Sequence, residues 1–168
     1  MTLQSKEPEM LTVVNELDKV IGQASKEKIL NENLLYRSIA VLVFNSKHEL
    51  LIHQRPVGKR FSPNLWDCFV SGGVRFGETY ETAAVRELEE EIGIKNTRIN
   101  FLFKQLFIAK HCVFLSIFET QISEKIKPSP EEVLNPEFVK LKDVEKLLKE
   151  RKFSLKNYEL IPKYLNEF

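Results

Sequence analysis

Cysteine, tryptophan and glycine are scarce in this sequence of 168 residues, which contains two, one and six of them. The two cysteines, Cys68 and Cys112, are too few for a disulfide framework and suit a reducing compartment. No apolar run approaches the roughly 20 residues that a membrane-spanning helix needs. Residues 1–10 have neither the basic leader nor the apolar core of a signal peptide. The sequence therefore predicts a cytoplasmic protein with no membrane partner.

An excess of charge of either sign is missing as well, because 25 lysines and arginines face 24 aspartates and glutamates. Without a net field we expect no nucleic-acid partner, and any anion-binding site must be local. The length and the 43% share of hydrophobic residues fit one domain with a substantial core. We predict a flexible tail over residues 1–9, a single domain over residues 10–168, and a monomer or homodimer.

The apolar pattern predicts several strands. Two short runs, residues 10–14 and 19–23, flank a turn and predict an N-terminal β-hairpin. Continuous apolar or β-branched runs predict further strands at residues 38–44, 49–54, 66–71, 99–109, 112–120 and 138–141. Three prolines lie within residues 127–136, which we expect to form a loop.

Helical periodicity begins at Thr79 and ends at Gly93, a residue suited to a helix C-cap. Shorter helices are predicted within residues 25–33 and 143–149. Ser154 is a candidate cap for a last helix, which Pro162 is expected to distort. This mixed order of strands and helices predicts the α/β (α+β) fold class.

The most informative segment is GGVRFGETYETAAVRELEEEIGI, residues 72–94, called the box below. It meets every position of the pattern G-x5-E-x7-R-E-U-x-E-E-x-G-U, in which U is a bulky aliphatic residue. The nine fixed positions are filled by Gly72, Glu78, Arg86, Glu87, Leu88, Glu90, Glu91, Gly93 and Ile94. Nine specified positions at fixed spacing make a chance match improbable. The chain resembles the Nudix hydrolase family, in which this pattern is the Nudix box.

Three glutamates of the box, Glu87, Glu90 and Glu91, stand at i, i+3 and i+4, so a helix places them on one face. Like charges at this spacing repel one another unless a cation neutralises them. Carboxylate oxygens are the hard ligands that Mg²⁺ prefers. Taken alone, the cluster would sooner indicate a solvated acidic helix face. The flanking glycines, together with Glu78 and Arg86 at their fixed distances, favour the metal site.

The resemblance implies a role for each charged position of the box. Glu90 and Glu91 are implied as the principal metal ligands, and Glu87 as a further ligand or the general base. Glu78 is implied as a supporting acid that pairs with Arg86 and reaches the metal through water. The implied cofactor is Mg²⁺, with Mn²⁺ as a substitute, and the implied chemistry is metal-assisted attack of water on phosphorus. We therefore count Glu87, Glu90, Glu91 and Arg86 as catalytic.

A backbone ligand is implied at the start of the box. The carbonyl of Ser71 or Gly72 would face the metal, since glycine allows close approach. In the family the box glycine is commonly the second of a Gly-Gly pair, whereas Gly72 is the first. The register of this carbonyl ligand is therefore open. For the fold, the resemblance implies an α/β/α sandwich with a mixed sheet and an N-terminal β-hairpin.

Segments outside the box resemble the isopentenyl-diphosphate-isomerase-like branch of the family. They are NELDKVIGQASKEKI at residues 15–29, LYR at residues 35–37 and LLIHQRPVGKRFSPNLWD at residues 50–67. True isomerases of this branch need a cysteine five residues after the tryptophan and histidines for a metal. Here Ser71 stands five residues after Trp66, and Cys68 is offset by three positions and expected in the core. These differences favour a hydrolase over an isomerase.

Basic residues outside the box are candidates for substrate binding. Arg55 and Lys59 belong to a basic cluster before the box, and Arg37 has a similar status. Arginine suits bidentate contacts to phosphate, although an exposed basic loop is an equally good interpretation. In the late acidic loop, Glu131 or Glu132 is a candidate for completing the metal site. His48, His53 and His111 have no metal-ligand spacing, and Phe61 is expected to pack rather than to bind a ligand.

The predicted function is a metal-dependent hydrolase that cleaves a diphosphate linkage by attack of water at phosphorus. Its predicted partner is a small-molecule diphosphate, either a nucleoside diphosphate derivative or another organic diphosphate. Two alternatives stay open: an enzyme of the isopentenyl-diphosphate isomerase type, and a non-catalytic sensor that binds a nucleotide or diphosphate.

Overall fold

A mixed sheet of nine strands and four helices form the regular structure of residues 8–168, the part of the chain that the computed structural model describes. The strands are β1 (Met10–Val14), β2 (Val20–Ser25), β3 (Tyr36–Phe44), β4 (Glu49–Gln54), β5 (Trp66–Asp67), β6 (Phe69–Gly73), β7 (Asn100–Phe107), β8 (Val113–Gln121) and β9 (Leu134–Lys140). The helices are α1 (Lys26–Glu32), α2 (Tyr80–Ile92), α3 (Val144–Glu150) and α4 (Leu155–Glu167), with a 3-10 turn at Leu141–Asp143.

Strand β3 is the centre of the sheet. It pairs with β6 antiparallel and with β8 parallel along its whole length, and β7 lies outside β8. The predicted N-terminal hairpin, β1 and β2, joins the start of β3 through the pair Val13–Tyr36. Strand β4 meets the end of β3 at the pair Phe44–Leu50 and carries β5 and β9. The sheet is therefore mixed, as predicted.

Each face of the sheet is covered by helices. Alternate residues of β3 face α2, and the apolar side of α2 packs against them; the fully buried members of this core include Ile39, Val41, Ala83, Leu88 and Ile92. The intervening residues of β3 face α3 and α4; the fully buried members on this side include Ala40, Leu42, Val144, Leu160 and Ile161. The α/β/α sandwich expected from the resemblance is confirmed.

Helix α2 begins and ends where the sequence predicts. Thr79 caps its N-terminus, because the Thr79 hydroxyl accepts a hydrogen bond from the Thr82 backbone N–H while the Thr82 hydroxyl accepts one from Thr79. Gly93 ends the helix with a φ of 71°, a left-handed conformation that glycine adopts without strain. These caps fix where α2 begins and ends, while the packing of its apolar side against β3 sets the direction in which the glutamates of the box point.

The loop predicted for residues 127–136 is wrong at its end, because β9 already begins at Leu134 and contains Pro136. The strand accommodates the proline at a β-bulge, where the two residues Asn135 and Pro136 lie opposite the single residue His53 of β4. An unpaired bulge position does not need the N–H that proline lacks.

The predicted N-terminal tail is only partly within the described residues. Of the tail predicted for residues 1–9, residues 1–7 lie outside the described part, while Glu9 forms an ion pair of 2.7 Å with Arg75. Among residues 8–168, no helix has the length and apolar character required to cross a membrane.

Candidate active site

Arg86, in the middle of α2, draws the acidic side chains of the box together. Its Nε and Nη2 donate to both carboxylate oxygens of Glu78, at 2.7 and 3.0 Å. Its Nη1 donates to Glu87 at 2.6 Å and to Glu90 at 3.2 Å. Burial alone would raise the pKa of Glu78, but the hydrogen bonds from Arg86 outweigh it and lower that pKa. Glu78 is therefore an ionised partner that holds the arginine in place.

Glu90 lies on the exposed side of this cluster, with 45% of its side chain accessible to solvent. Both of its neighbours are arginines, since Nη2 of Arg75 lies 3.1 Å from Oε1 and Nη1 of Arg86 lies 3.2 Å from Oε2. Arg75 is held from its other side by Glu9. The charge of Glu90 is thus neutralised by side chains that a cation would have to displace.

Glu87 is buried against the backbone of β6. A β-carbon on Gly72 would lie 1.9 Å from Oε1 of Glu87, so only glycine leaves room for this carboxylate. The Gly72 carbonyl accepts a hydrogen bond from the Ser38 hydroxyl at 2.7 Å. Burial, more than any neighbouring charge, raises the pKa of Glu87 above its ordinary value.

Glu91 is the most enclosed acid of the box, with 5% of the residue exposed. In the described part of the chain its carboxylate takes part in no hydrogen bond or ion pair. Burial raises the pKa of Glu91 well above its ordinary value, and the charges of Glu87 and Glu132 raise it further. An anionic Glu91 is costly in this setting without a cation.

The loop between β8 and β9, which contains Glu131 and Glu132, places a further carboxylate near Glu91. Backbone N–H groups of Lys127 and Ser129 donate to the carbonyls of Ile92 and Glu91, both at 2.8 Å, so the loop is fastened to the end of α2. Glu132 forms an ion pair with Lys59, and its charge reaches Glu91. Of the two acids predicted as late ligands, Glu132 lies close to the box.

The donor set fits a divalent cation. Within residues 8–168 no three His, Cys, Asp or Glu side chains already surround a common point, because Glu87 and Glu90 are turned toward Arg86. However, Glu91 offers a buried carboxylate with no partner in the described residues, next to the negative charges of Glu87 and Glu132. These are hard oxygen ligands whose mutual repulsion a cation would relieve.

A cleft of about 340 Å³ opens on the sheet face covered by α4. Gly72 and Gly73 form part of its wall, so the backbone of β6 separates the cleft from Glu87 on the opposite face. Its cationic side chains are Lys26, Arg55, Lys110 and Lys156. Its aromatic side chains are Tyr36, Phe61, Phe107 and His111. A ligand with anionic and apolar parts suits this lining.

Comparison with known proteins identifies the family. A family model described as NUDIX domain matches residues 34–164. An uncharacterised Nudix hydrolase of Streptomyces coelicolor is 34% identical over 134 residues, which cover 78% of this chain and 74% of that protein. The chain belongs to the Nudix hydrolase family. The resemblance to this family, which rested on the box of residues 72–94, is confirmed.

The branch within the Nudix family is confirmed as well. Isopentenyl-diphosphate Delta-isomerase of Serratia proteamaculans is 39% identical over 85 residues, covering 51% of this chain and 48% of the isomerase. The chain thus matches about half of that enzyme's length. Among solved structures, the protein DR0079 of Deinococcus radiodurans superposes with a TM-score of 0.79 and 24% identity, over 92% of this chain and 98% of that one. This likeness supports the Nudix fold.

Of the three residues predicted to bind substrate in this Nudix domain, Arg55 lines the cleft, where its Nε donates to the Phe61 carbonyl at 3.1 Å. Lys59 is paired with Glu132 near the Nudix helix α2. Arg37 is paired with Asp18 at 2.7 Å and stacks over the ring of Tyr80, 5.0 Å from its centroid. Neither Lys59 nor Arg37 is part of the cleft wall.

Among the charged cleft residues that were not predicted from the sequence, Asp67 and Lys156 form a pair. Asp67 is fully buried and accepts hydrogen bonds from Ser154 at 3.2 Å and Asn157 at 3.3 Å, while Lys156 lies 3.1 Å away. Burial would raise the pKa of Asp67, but the positive charges nearby, above all Lys156, lower it. Asp67 follows Trp66 in the Trp-Asp pair of the isomerase-like branch, which could have marked it. Lys156 has no such local signal, because its partner Ser71 is 85 residues away.

The simpler interpretations of Cys68 and His53 agree with the Nudix core. Cys68 is buried, and burial raises the pKa of its thiol well above the ordinary value, which disfavours a nucleophilic thiolate. His53 is buried with Nε2 3.1 Å from the Phe69 carbonyl, and burial lowers its pKa. His53 is therefore neutral. His111, by contrast, lies at the cleft, edge-on to Phe61 with ring centroids 5.8 Å apart.

Proposed function

We propose that this Nudix protein is a divalent-metal-dependent hydrolase that cleaves a diphosphate linkage by attack of water at phosphorus. The observation that carries the proposal is Glu91, a residue that is 5% exposed and whose carboxylate has no hydrogen-bond or ion-pair partner in residues 8–168, set beside Glu87 and Glu132. A buried acid in this state stabilises the fold poorly but suits a cation. Membership of a hydrolase family joins this site to diphosphate chemistry.

Glu87, Glu90 and Glu91 would hold Mg²⁺, or Mn²⁺ in its place, with Glu78, Glu132 and the carbonyl at Gly72 as further members. The bound ion would supply charge neutralisation at the phosphate oxygens and an acidified water. Glu90 must leave its arginine partners to join, which costs little because it is exposed. These residues would hold the cation between the second half of α2 and β6.

The side chains of the chain itself have separable roles. Arg86 orients the acidic residues, since it hydrogen-bonds Glu78, Glu87 and Glu90 at once. If Glu87 is not itself a ligand, it is suited to accept the proton of the attacking water, because burial raises its pKa above the ordinary value. Arg55 would neutralise a substrate phosphate from the cleft.

For the substrate we propose a nucleoside diphosphate derivative or another organic diphosphate. The cleft combines four cationic side chains with an aromatic wall that includes Phe61 and His111. Aromatic faces accept a base or an apolar group, while the cations accept the phosphates. A cytoplasmic location and a monomeric or homodimeric state stay predictions.

Neither alternative is favoured by a specific observation. For an isomerase, the position of the required cysteine is held by Ser71, and the thiol of Cys68 is buried. For a non-catalytic sensor, the intact set of Glu87, Glu90 and Glu91 is evidence against it. Hydrolysis at the metal site is the better account of these residues.

The test is a hydrolysis screen with Mg²⁺ over nucleotide sugars, dinucleotides, oxidised nucleotides and prenyl diphosphates. We expect product from at least one class, and a loss of about 100-fold or more in Glu91→Gln. Glu89→Gln is the matched control, because Glu89 is on the same helix but pairs with Lys95 away from the site, at 2.8 Å. A wild-type protein inactive on every class, or a Glu91→Gln variant as active as the control, would contradict the proposal.

A further inference from the structure

Lys156 occupies a place in the cleft that packing alone does not require. It lies in the first turn of α4, and its Nζ donates to the Ser71 hydroxyl at 2.7 Å. The same ammonium lies 3.1 Å from Asp67 and 5.6 Å from the centroid of the Phe69 ring. A residue from the last helix is thereby brought to the strand that begins the Nudix box.

The ammonium group has one donor to spare. A lysine ammonium carries three N–H donors, and Ser71 and Asp67 use two of them within the described residues. The side chain of Lys156 is 17% exposed and lines the cleft, whereas that of Asp67 is 1% exposed. The third donor can therefore reach a group that enters the cleft.

Asp67 does not depend on Lys156 alone. Its carboxylate also accepts hydrogen bonds from the Phe69 N–H at 3.1 Å, Ser154 at 3.2 Å and Asn157 at 3.3 Å. Arg55 adds a second positive charge, with Nη1 at 3.8 Å. The buried aspartate thus has several partners, and it positions Lys156 as much as Lys156 neutralises it.

We infer that Lys156 and the Ser71 hydroxyl form an anion subsite that binds a phosphate group of the substrate from the cleft side of β6. The inference rests on the proposed function and deepens it, because it assigns one phosphate contact of the substrate to the cleft. Gly72 contributes no side chain between Ser71 and Glu87, which lie on opposite sides of β6.

The test compares Lys156→Met and Lys156→Arg with Lys163→Met. Lys163 is a matched control, because it lies on α4 and its ammonium stands 4.1 Å from the centroid of an aromatic ring, that of Phe103. We expect Lys156→Met to raise KM about tenfold or more while kcat changes far less, because a charge-assisted hydrogen bond to substrate is lost. Lys156→Arg restores most of the affinity, and Lys163→Met leaves KM unchanged.

A binding measurement separates this inference from the proposed function. Calorimetry with inorganic pyrophosphate in EDTA requires neither metal nor turnover, so it applies even if the substrate screen finds no activity. We expect the wild type to bind and Lys156→Met to bind about tenfold more weakly or worse. Pyrophosphate that fails to bind the wild type, or binds both proteins equally, overturns the subsite while leaving the hydrolase proposal standing.

A structural role for Lys156 is tested with the double variant Asp67→Asn/Lys156→Met, which removes the buried negative charge together with its cation. We expect this variant to melt closer to the wild-type temperature than Lys156→Met does, because no uncompensated charge remains. Its pyrophosphate affinity stays as weak as that of Lys156→Met. Recovery of pyrophosphate affinity in the double variant shows that Lys156 served only Asp67, and overturns the inference.

Discussion

The backbone of Gly72 runs so close to the carboxylate of Glu87 that a methyl group on Gly72 would stand 1.9 Å from Oε1. The atom in its way is the end of a flexible side chain, so Gly72→Ala displaces the carboxylate rather than the core. We expect a folded variant with a melting temperature near that of the wild type. Its metal-dependent activity should fall about 10- to 100-fold, because Glu87 is forced away from its neighbours.

The neighbouring glycine supplies the control. A β-carbon on Gly73 would lie 2.7 Å from Cδ2 of Leu11, a residue that is 1% exposed in the core. Gly73→Ala is therefore expected to lower the melting temperature more than Gly72→Ala does. Thermal melts and Mg²⁺-dependent hydrolysis, measured on both variants, check the contrast. The assignment of Gly72 to the metal site is contradicted if Gly72→Ala retains full activity.

A second prediction concerns pH. The pKa of Glu91 is raised in the folded state, so the fold keeps a proton that the unfolded chain releases near the ordinary value of 4.5. In EDTA, this contribution to the free energy of unfolding is present below that pH and is lost as pH rises through the raised pKa. Glu91→Gln removes this loss, so at pH 7.5 its melting temperature should exceed that of the wild type. The expected difference is about 2–4 °C for each kcal/mol by which ionisation of Glu91 lowers the free energy of unfolding.

Thermal melts from pH 5 to 8 without metal, with Glu89→Gln alongside, provide the measurement. Added Mg²⁺ should raise the melting temperature of the wild type and of Glu89→Gln, because an ion that binds only the fold stabilises it. It should have a smaller effect on Glu91→Gln. If the melting temperatures of the wild type and Glu91→Gln change equally with pH, ionisation of Glu91 does not destabilise the fold.

A third prediction concerns Arg75, which forms an ion pair with Glu90. Arg75 competes with a cation for this carboxylate, with Nη2 at 3.1 Å from Oε1. Because the Arg75–Glu90 ion pair is exposed, its loss in Arg75→Ala should lower the Mg²⁺ concentration needed for half-maximal activity only about two- to fivefold. Titration of activity with Mg²⁺ measures it, and Arg98→Ala, at an exposed site elsewhere, is the control. A weaker Mg²⁺ response in Arg75→Ala would mean that Arg75 helps to build the site.

A fourth prediction separates hydrolysis from isomerisation. Incubation with isopentenyl diphosphate in deuterated water should leave the carbon skeleton without deuterium, since Ser71 stands where the isomerase chemistry needs a thiol. Cys68→Ala should retain hydrolase activity within about twofold, because the thiol is buried in the core with a raised pKa. Deuterium uptake by the wild type that disappears in Cys68→Ala would reverse the assignment.

The sequence predicts those parts of the fold and the site that depend on local pattern. Helix α2 is read correctly from Thr79 to Gly93 because both caps and the apolar spacing lie in one continuous segment. The close association of Glu78 with Arg86 agrees with what the resemblance to the Nudix family implies for these two box positions. The early start of β9 is missed, since a bulge that accepts Pro136 is defined by its partner strand and not by the proline itself.

Contacts between distant segments account for what the sequence does not predict. Lys156 reaches Ser71 only because α4 folds back over the sheet. The basic cluster indicates phosphate binding for Arg55 and Lys59 alike, yet the fold sends Arg55 to the cleft and Lys59 to Glu132. Arg37 is drawn to Asp18 of the N-terminal hairpin by the pairing of β1 with β3. The positive charge of these three residues does not by itself predict which of them lines the cleft.

The ion pair between Glu9 and Arg75 makes Glu9 an electrostatic extension of the box. Arg75 shares its guanidinium between Glu9 and Glu90, so any change at residue 9 alters how firmly it holds Glu90. A shortened protein that begins at Met10 would leave Arg75 to Glu90 alone. Metal affinities measured on such a protein would describe a differently charged site, and a protein that retains Glu9 is the appropriate sample for them.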